Sequence, residues 1–226
     1  MTSAGAFAHR FTRIDDLLRP DHWHLAEGDA CYFLGEYTAR QGYAYSDTNQ
    51  LIINIKKPLD RRERPEWRYK ELAIRQAAEG FRNGLNPEAL DRLTFVPIPP
   101  SKAKGHPLYD DRLTRMLHAI RPEPPLDIRE LIVQTESTEA VHGLEDRPRP
   151  KDIQALYQLD ESLSAPPPRT IAVVDDILTT GAHFRAVHAI LSARFPTATV
   201  TGLFIARRVP NTADPDEFES QRPADP

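Results

Sequence analysis

The chain has 226 residues, of which 40% are hydrophobic and 27% charged, and its formal net charge is −4. This length allows one large domain or one domain with a substantial extension. The charge balance argues against a globally basic nucleic-acid-binding surface, although a local basic patch is left open. The single cysteine, Cys31, excludes an internal disulfide and a cysteine-based zinc site.

Several features of the sequence are those of an intracellular protein. The N-terminus lacks the apolar core of a secretion signal, and no run of about 18 apolar residues is present. We therefore expect a cytoplasmic protein without a membrane segment. Cys31 lies in an apolar run and is expected to be a small core residue rather than a nucleophile. Residues 210–226 are acidic and rich in proline, which predicts a disordered tail.

The first 64 residues are interpreted as an N-terminal arm followed by a β-rich extension. Residues 30–37 and 50–56 have the apolar and β-branched content of strands, and turn-forming residues lie between them, which predicts a β-hairpin. Its aromatic residues either pack inside the hairpin or form a hood that stacks a ligand's ring. They are Tyr32, Phe33, Tyr37, Tyr43 and Tyr45.

Residues 65–209 alternate between helical and strand patterns, which predicts an α/β domain with a parallel sheet flanked by helices. The first helix begins near Pro65, carries apolar residues at helical spacing and ends near Gly84. Further predicted helices cover residues 110–120 and 182–194, and further predicted strands cover 93–98, 126–133, 171–174 and 198–209.

Residues 170–184 are the most informative segment, Thr-Ile-Ala-Val-Val-Asp-Asp-Ile-Leu-Thr-Thr-Gly-Ala-His-Phe. A buried strand is predicted to end at Asp175 and Asp176, and a loop of small residues then leads into a helix. Loop amides and the helix dipole attract phosphate. Carboxylates accept hydrogen bonds from sugar hydroxyls. The segment therefore predicts a site for a phosphorylated sugar.

Two simpler interpretations of this segment exist. Receiver domains also place paired acids after an apolar strand, but near the start of the domain and without a following Thr-Thr-Gly. The turn at Gly181 is alternatively only a tight connection.

The segment resembles the phosphoribosyl diphosphate (PRPP) motif of type I phosphoribosyltransferases, and matches all of it except the last position, where His183 replaces threonine. The resemblance implies a Rossmann-like fold, with Asp175 and Asp176 as the catalytic carboxylates that hold the ribose hydroxyls. It implies that Mg²⁺ arrives on PRPP, with Asp175 and Asp176 as the candidates for any direct contact. The residues implied to bind the 5′-phosphate are Ile177, Leu178, Thr179, Thr180, Gly181, Ala182 and His183.

Two upstream segments fit the order of the ComF-like branch of this family over residues 93–209. The basic loop after residue 98 implies a diphosphate site at Ser101, Lys102, Ala103 and Lys104, although a solvated turn explains its lysines equally well. Residues 141–152 correspond to the family's mobile loop, in which Arg147, Arg149 and Lys151 are implied to neutralise the leaving diphosphate. A plain surface loop explains that segment as well.

The chain departs from the ComF-like pattern because it has no cysteine-rich N-terminal segment and lacks the Arg-Gly-Phe-Asn-Gln run. Three functions therefore stay open. They are a phosphoribosyltransferase acting on an unidentified nitrogenous base, a non-catalytic sensor of PRPP or a nucleotide in nucleic-acid handling or regulation, and a structural protein with a vestigial pocket. The partner is PRPP or a nucleoside monophosphate; net charge does not indicate nucleic acid, and a homodimer is left open.

Overall fold

A six-stranded sheet lies at the centre of the computed structural model, which describes residues 10–138 and 148–210. Its order is β1-β2-β8-β7-β3-β4, and only the β1–β2 pair is antiparallel. Its strands are β1 (Thr12–Arg13), β2 (Ala30–Thr38), β3 (Thr94–Pro97), β4 (Asp127–Ile128), β7 (Thr170–Leu178) and β8 (Thr199–Val209). A separate antiparallel pair consists of β5 (Ile132–Gln134) and β6 (Tyr157–Leu159).

Helices cover both faces of this sheet. Their bounds are α1 (Asp47–Ile55), α2 (Arg68–Gly84), α3 (Pro87–Arg92), α4 (Arg112–Ile120), α5 (Pro150–Ala155) and α6 (Ala182–Arg194). Because side chains alternate along a strand, Ala172 and Val174 of β7 pack on the side of α1, α2 and α4, whereas Ile171 and Val173 pack on the side of α5 and α6. The predicted α/β class with a mostly parallel sheet is confirmed, and it is compatible with a Rossmann-like fold.

Helix α2 shows how the sequence pattern produces one of these layers. Ile74, Ala77, Ala78 and Phe81 recur at helical spacing, and each is 3% exposed or less. They face the sheet and α4. The helix ends at Gly84, as predicted. Across residues 10–138 and 148–210, none of the helices combines the length and apolar content that a membrane crossing requires.

The predicted strand at residues 50–56 is wrong, because this segment lies in α1 and Lys56 follows the helix end. Ser46 caps the helix, its hydroxyl accepting the Asn49 amide at 3.1 Å. Asn49 in turn donates to the Thr38 carbonyl at 2.9 Å, which ties the helix to the end of β2. There is therefore no hairpin at this position.

The first predicted strand, residues 30–37, is confirmed, but it belongs to the central sheet. Strand β2 pairs in parallel with β8, so the sheet runs across the predicted boundary between residues 64 and 65. Phe33 is buried, and Tyr32 and Tyr37 pack against the core. Of the five aromatics assigned to a hood, only Tyr43 and Tyr45 are exposed.

The other predicted elements agree with the structure apart from their bounds. The strand expected over residues 126–133 is two short strands, β4 and β5. Cys31 is a core residue, as expected, and its burial raises the pKa of the thiol. The acidic tail prediction for residues 210–226 falls outside the described residues except at Pro210.

The strand order places a crevice at one edge of the sheet. The chain goes from β3 outward to β4, and from β7 outward to β8 on the opposite side. In open parallel sheets, ligands bind at the carboxyl ends of strands where the connections diverge in this way. A ligand site is therefore expected in the crevice between the ends of β3 and β7.

Candidate functional site

Asp175 and Asp176 lie at this crevice, inside strand β7 rather than after its end. Pairing with β3 stops at Val174, whereas pairing with β8 continues through Ile177 and Leu178. Asp175 therefore borders a cavity of about 30 Å³ beyond the end of β3. The cavity is also lined by Pro97, Ile98, Pro99, Pro100, Tyr109, Asp110, Asp111, Arg112, Leu113, Thr114, Glu130 and Ile132.

Asp176 is held by two cations that come from outside the motif. Its Oδ1 lies 3.2 Å from Lys56 Nζ. Its Oδ2 accepts from Arg112 Nε at 3.0 Å and from Arg112 Nη2 at 2.5 Å. The Asp176 side chain is only 4% exposed. Both of its carboxylate oxygens are thus engaged within the protein.

These contacts continue into a chain of alternating charges. Arg112 Nη1 reaches Asp110 Oδ2 at 3.1 Å, and the same oxygen lies 2.7 Å from Lys70 Nζ. Lys70 is fully buried and also donates to the backbone carbonyls of Ile55 and Lys57. Because buried charges are tolerated when paired and hydrogen-bonded, this chain fixes α1, α2 and α4 around the crevice.

The two adjacent carboxyl groups differ in their ionisation. Desolvation opposes the charge of Asp176, but Lys56 and Arg112 outweigh it and hold its pKa well below its usual range. Burial and the neighbouring charge of Asp176 raise the pKa of Asp175 to about 7. Asp175 accepts the Asp176 amide at 2.8 Å through Oδ1. Its other oxygen is available to a ligand in the cavity.

The carboxyl pair does not fit a divalent metal held by the protein itself. Asp176 has no free oxygen, and residues 10–138 and 148–210 contain no group of three His, Cys, Asp or Glu side chains that could hold a metal ion. Of the two carboxyl groups, Asp175 alone is left with an oxygen for a metal ion. A Mg²⁺ ion bound mainly by a ligand's own phosphates would not need further protein ligands.

The predicted phosphate-binding residues surround the start of α6. Gly181 has φ of +85° and precedes the helix, which has no side-chain N-cap. Thr180 is buried, and its hydroxyl accepts the Ala182 amide at 3.3 Å. The amides of the first helical turn have no partners within the helix. The loop around Thr179 and the N-terminus of α6 therefore have the features of an anion site.

A short strap, residues 22–25, covers the back of this loop. Nδ1–H of His22 donates to the Thr179 carbonyl, and the His24 amide donates to the Thr180 carbonyl at 2.9 Å. Burial lowers the pKa of His22 to about 4, which keeps the ring neutral. A Cβ at Gly181 would lie 2.8 Å from Leu25 Cδ2. The strap thus binds the carbonyls of Thr179 and Thr180, and Thr180, Gly181 and Ala182 are buried beneath it.

His183, which replaces the motif's threonine, is positioned by a residue of β6. Its Nδ1 lies 2.7 Å from the hydroxyl of Tyr157. Burial raises the pKa of Tyr157, so the hydroxyl stays protonated and donates. His183 is exposed to solvent, but partial desolvation of its ring by the surrounding residues lowers its pKa. A neutral ring that accepts at Nδ1 carries its proton on Nε2.

The predicted diphosphate residues lie beside the segment that follows β5 rather than in the cavity lining. The Ser101 carbonyl accepts from the Thr138 amide at 2.8 Å, and the Ala103 amide donates to Ser137 Oγ at 3.1 Å. Lys104 Nζ pairs with Glu130 at 2.5 Å. Lys102, with its side chain half-buried, lies in the same loop. Prolines 97, 99 and 100, upstream of this loop, line the cavity instead.

The residues predicted for the mobile loop are only partly described. Arg147 lies outside the described residues. Arg149 precedes α5, where its amide donates to Asp152 Oδ2 at 3.0 Å, and Lys151 lies in the first turn. Both side chains are exposed, and α5 packs against α6.

Sequence reasoning missed Lys56, Arg112 and Tyr157, which contact the motif from distant parts of the chain. Lys56 and Arg112 are 120 and 64 residues from Asp176, so no local spacing relates them to it. The only usable signal was the cluster Asp110-Asp111-Arg112 at a helix start.

The sequence matches no model of a known protein family, and no curated protein matches it.

Proposed function

We propose that this chain is a type I phosphoribosyltransferase-like protein that binds PRPP and transfers its phosphoribosyl group to a nitrogenous base. The observation that carries the proposal is the position of Asp175 in the crevice of a parallel sheet, next to a glycine turn that opens α6. A carboxylate for ribose hydroxyls and a helix start for a phosphate are thereby supplied by consecutive parts of one segment.

In this proposal each group has a defined task. Amides around Thr179 to Ala182 bind the 5′-phosphate, and the strap holds the loop that carries them. Asp175 accepts hydrogen bonds from ribose hydroxyls and stabilises positive charge that develops at the anomeric carbon. The base nitrogen forms a bond to that carbon, the bond to the diphosphate oxygen breaks, and diphosphate leaves with the electron pair. The proton on the attacking nitrogen is released to solvent.

Calorimetric titration with PRPP in the presence of Mg²⁺ tests binding. We expect saturable binding that Asp175→Asn weakens at least tenfold, because the substituted amide accepts fewer hydrogen bonds and lacks the charge. Asp91→Asn, at an exposed residue paired with Arg121, is the control and leaves the affinity unchanged. Absence of binding at millimolar PRPP would refute the proposal.

A second candidate is a sensor that binds PRPP without transferring its phosphoribosyl group. It is favoured by the full engagement of Asp176, which leaves one carboxylate where the motif has two, and by the absence of a threonine hydroxyl at His183. Release of diphosphate, measured with purine, pyrimidine and pyridine bases, separates the two. PRPP binding without diphosphate release in the presence of any of these bases supports the sensor.

A further inference from the structure

The segment between α1 and α2, together with the first residue of α2, exposes arginines that have no carboxylate partner among the described residues. Arg61, Arg62, Arg64 and Arg68 are all solvent-exposed. Within residues 10–138 and 148–210, none of the four guanidinium groups forms an ion pair with a carboxylate, although Asp60, Glu63 and Glu66 lie in the same segment. Cations outnumber carboxylates here in a protein whose net charge is negative.

Aromatic rings lie among these cations. Tyr69 is 37% exposed, and its ring centroid lies 4.9 Å from the Arg68 guanidinium and 5.7 Å from Lys57 Nζ. The ring of Trp67 lies 5.7 Å from the Arg62 guanidinium. Cations and rings therefore form one surface rather than two separate ones.

This surface is continuous with the edge of the candidate site. Lys57 Nζ donates to Asn54 Oδ1, and the Asn54 amide lies 3.4 Å from the hydroxyl of Tyr43, another exposed ring. The preceding residue, Lys56, reaches Asp176. We call the whole surface the ledge, formed by Tyr43, Lys57, Arg61, Arg62, Arg64, Trp67, Arg68 and Tyr69.

The ledge rests on a rigid support. The buried ammonium of Lys70 holds the backbone carbonyls of Ile55 and Lys57, at the start of the segment. The Trp67 ring packs 5.5 Å from the same ammonium. Buried hydrogen bonds thus fix the backbone where the segment begins, at Ile55 and Lys57.

We propose that the ledge binds single-stranded nucleic acid. Arginines spread along the segment match a ligand with phosphates at repeated spacing, and exposed rings match bases whose faces are free for stacking. A duplex hides those faces, an acidic peptide lacks them, and a mononucleotide offers phosphate to only part of the ledge. This binding is separate from PRPP binding and does not depend on it.

Fluorescence anisotropy with a labelled oligothymidylate of about 20 nucleotides, a length that exceeds common single-strand sites, tests the proposal. We expect the quadruple variant Arg61→Gln, Arg62→Gln, Arg64→Gln, Arg68→Gln to weaken binding at least tenfold. The same variant should show a weaker salt dependence. The slope of log affinity against log salt concentration should become shallower by about 0.7 for each phosphate that the variant no longer neutralises. Tyr69→Leu weakens binding by about 5- to 160-fold, because a leucine side chain cannot stack on a base.

The matched control removes the same charge from exposed arginines elsewhere, with Gln at Arg13, Arg75, Arg92 and Arg169. It retains the wild-type affinity if the ledge is the binding surface. The proposal is overturned if the control variant weakens binding as much as the quadruple variant does, or if the oligothymidylate does not bind at all. It is also overturned if the protein binds a duplex or thymidine monophosphate as tightly as the oligothymidylate. Competition by polyglutamate that equals competition by unlabelled oligothymidylate would overturn it as well. Calorimetric titration with PRPP on the quadruple variant separates the two proposals, because PRPP binding is unaffected by removal of the ledge arginines.

Discussion

The buried pair between Arg112 and Asp176 allows a quantitative test of how the crevice is stabilised. Arg112→Met removes two hydrogen bonds from a carboxylate that is 4% exposed. Breaking a buried ion pair by removing one partner costs about 3–5 kcal/mol. Lys56 remains at 3.2 Å from Asp176, although it is 46% exposed. We therefore expect a decrease of about 3 kcal/mol in the free energy of unfolding, at the lower end of that range.

Urea unfolding at neutral pH, followed by circular dichroism, measures this decrease. Arg115→Met is the matched control on the same helix, because its pair with Glu71 is about one-third exposed on each side. Such pairs contribute about 0–1 kcal/mol. Similar decreases in the two variants would refute the reasoning. A double-mutant cycle with Asp176→Asn isolates the pairwise contribution, which we expect to exceed about 1 kcal/mol.

The pH dependence of this contribution has a definite sign. The pKa of Asp176 is lowered in the folded protein. Its stabilising contribution is therefore fully present above the unfolded pKa of about 3.9 and is lost as pH falls through the folded pKa. The difference between wild type and Arg112→Met should hence persist at neutral pH and shrink only in strong acid.

Three further predictions concern the neighbouring groups. The raised pKa of Asp175, about 7, means that stability falls as pH rises from about 4 to about 7. Asp175→Asn should therefore be more stable than wild type at pH 8 but not at pH 4, as measured by urea unfolding; a pH-independent difference would contradict this. Gly181→Ala should lower the melting temperature more than Gly105→Ala does. Both glycines have positive φ, but only at Gly181 does the added Cβ lie within 3 Å of a side chain. Equal melting temperatures of the two variants would contradict this expectation. Tyr157→Phe should cost about 1 kcal/mol and shift the ring resonances of His183, read by NMR, and unchanged resonances would show that the hydrogen bond is absent.

Much of the fold was predictable because its local and tertiary signals agree. Helix α2 has apolar residues at helical spacing and a glycine at its end, and strand β7 has four buried apolar residues in a row. The error at residues 50–56 arose where these signals conflict. The run Leu-Ile-Ile-Asn-Ile has strand-like composition, but the Ser46 cap and burial of Leu51, Ile52 and Ile55 on one side favour a helix.

The candidate site was predictable only where it is continuous in sequence. Asp175 and the loop before α6 lie in one segment, so their order along the chain brings them together. Lys56 and Arg112 meet Asp176 only because α1 and α4 pack on the same face of the sheet. The ion pairs that distinguish one carboxyl from the other are products of tertiary packing, and no local pattern encodes them.

The pairing of β2 with β8 has a consequence for the order in which the molecule is completed. Contacts between distant segments form late, because closing a long loop costs entropy before those contacts compensate for it. The strap lies just before β2, and the loop that it holds lies just before α6, so the two meet around this long-range pairing. During synthesis, β2 and β7 are made before β8, the strand that pairs with both. Until β8 is added, the hydrogen-bonding edges that they present to it are exposed and can pair with other chains. The crevice is therefore expected to acquire its final shape only at the end of folding, after most of the helices have packed.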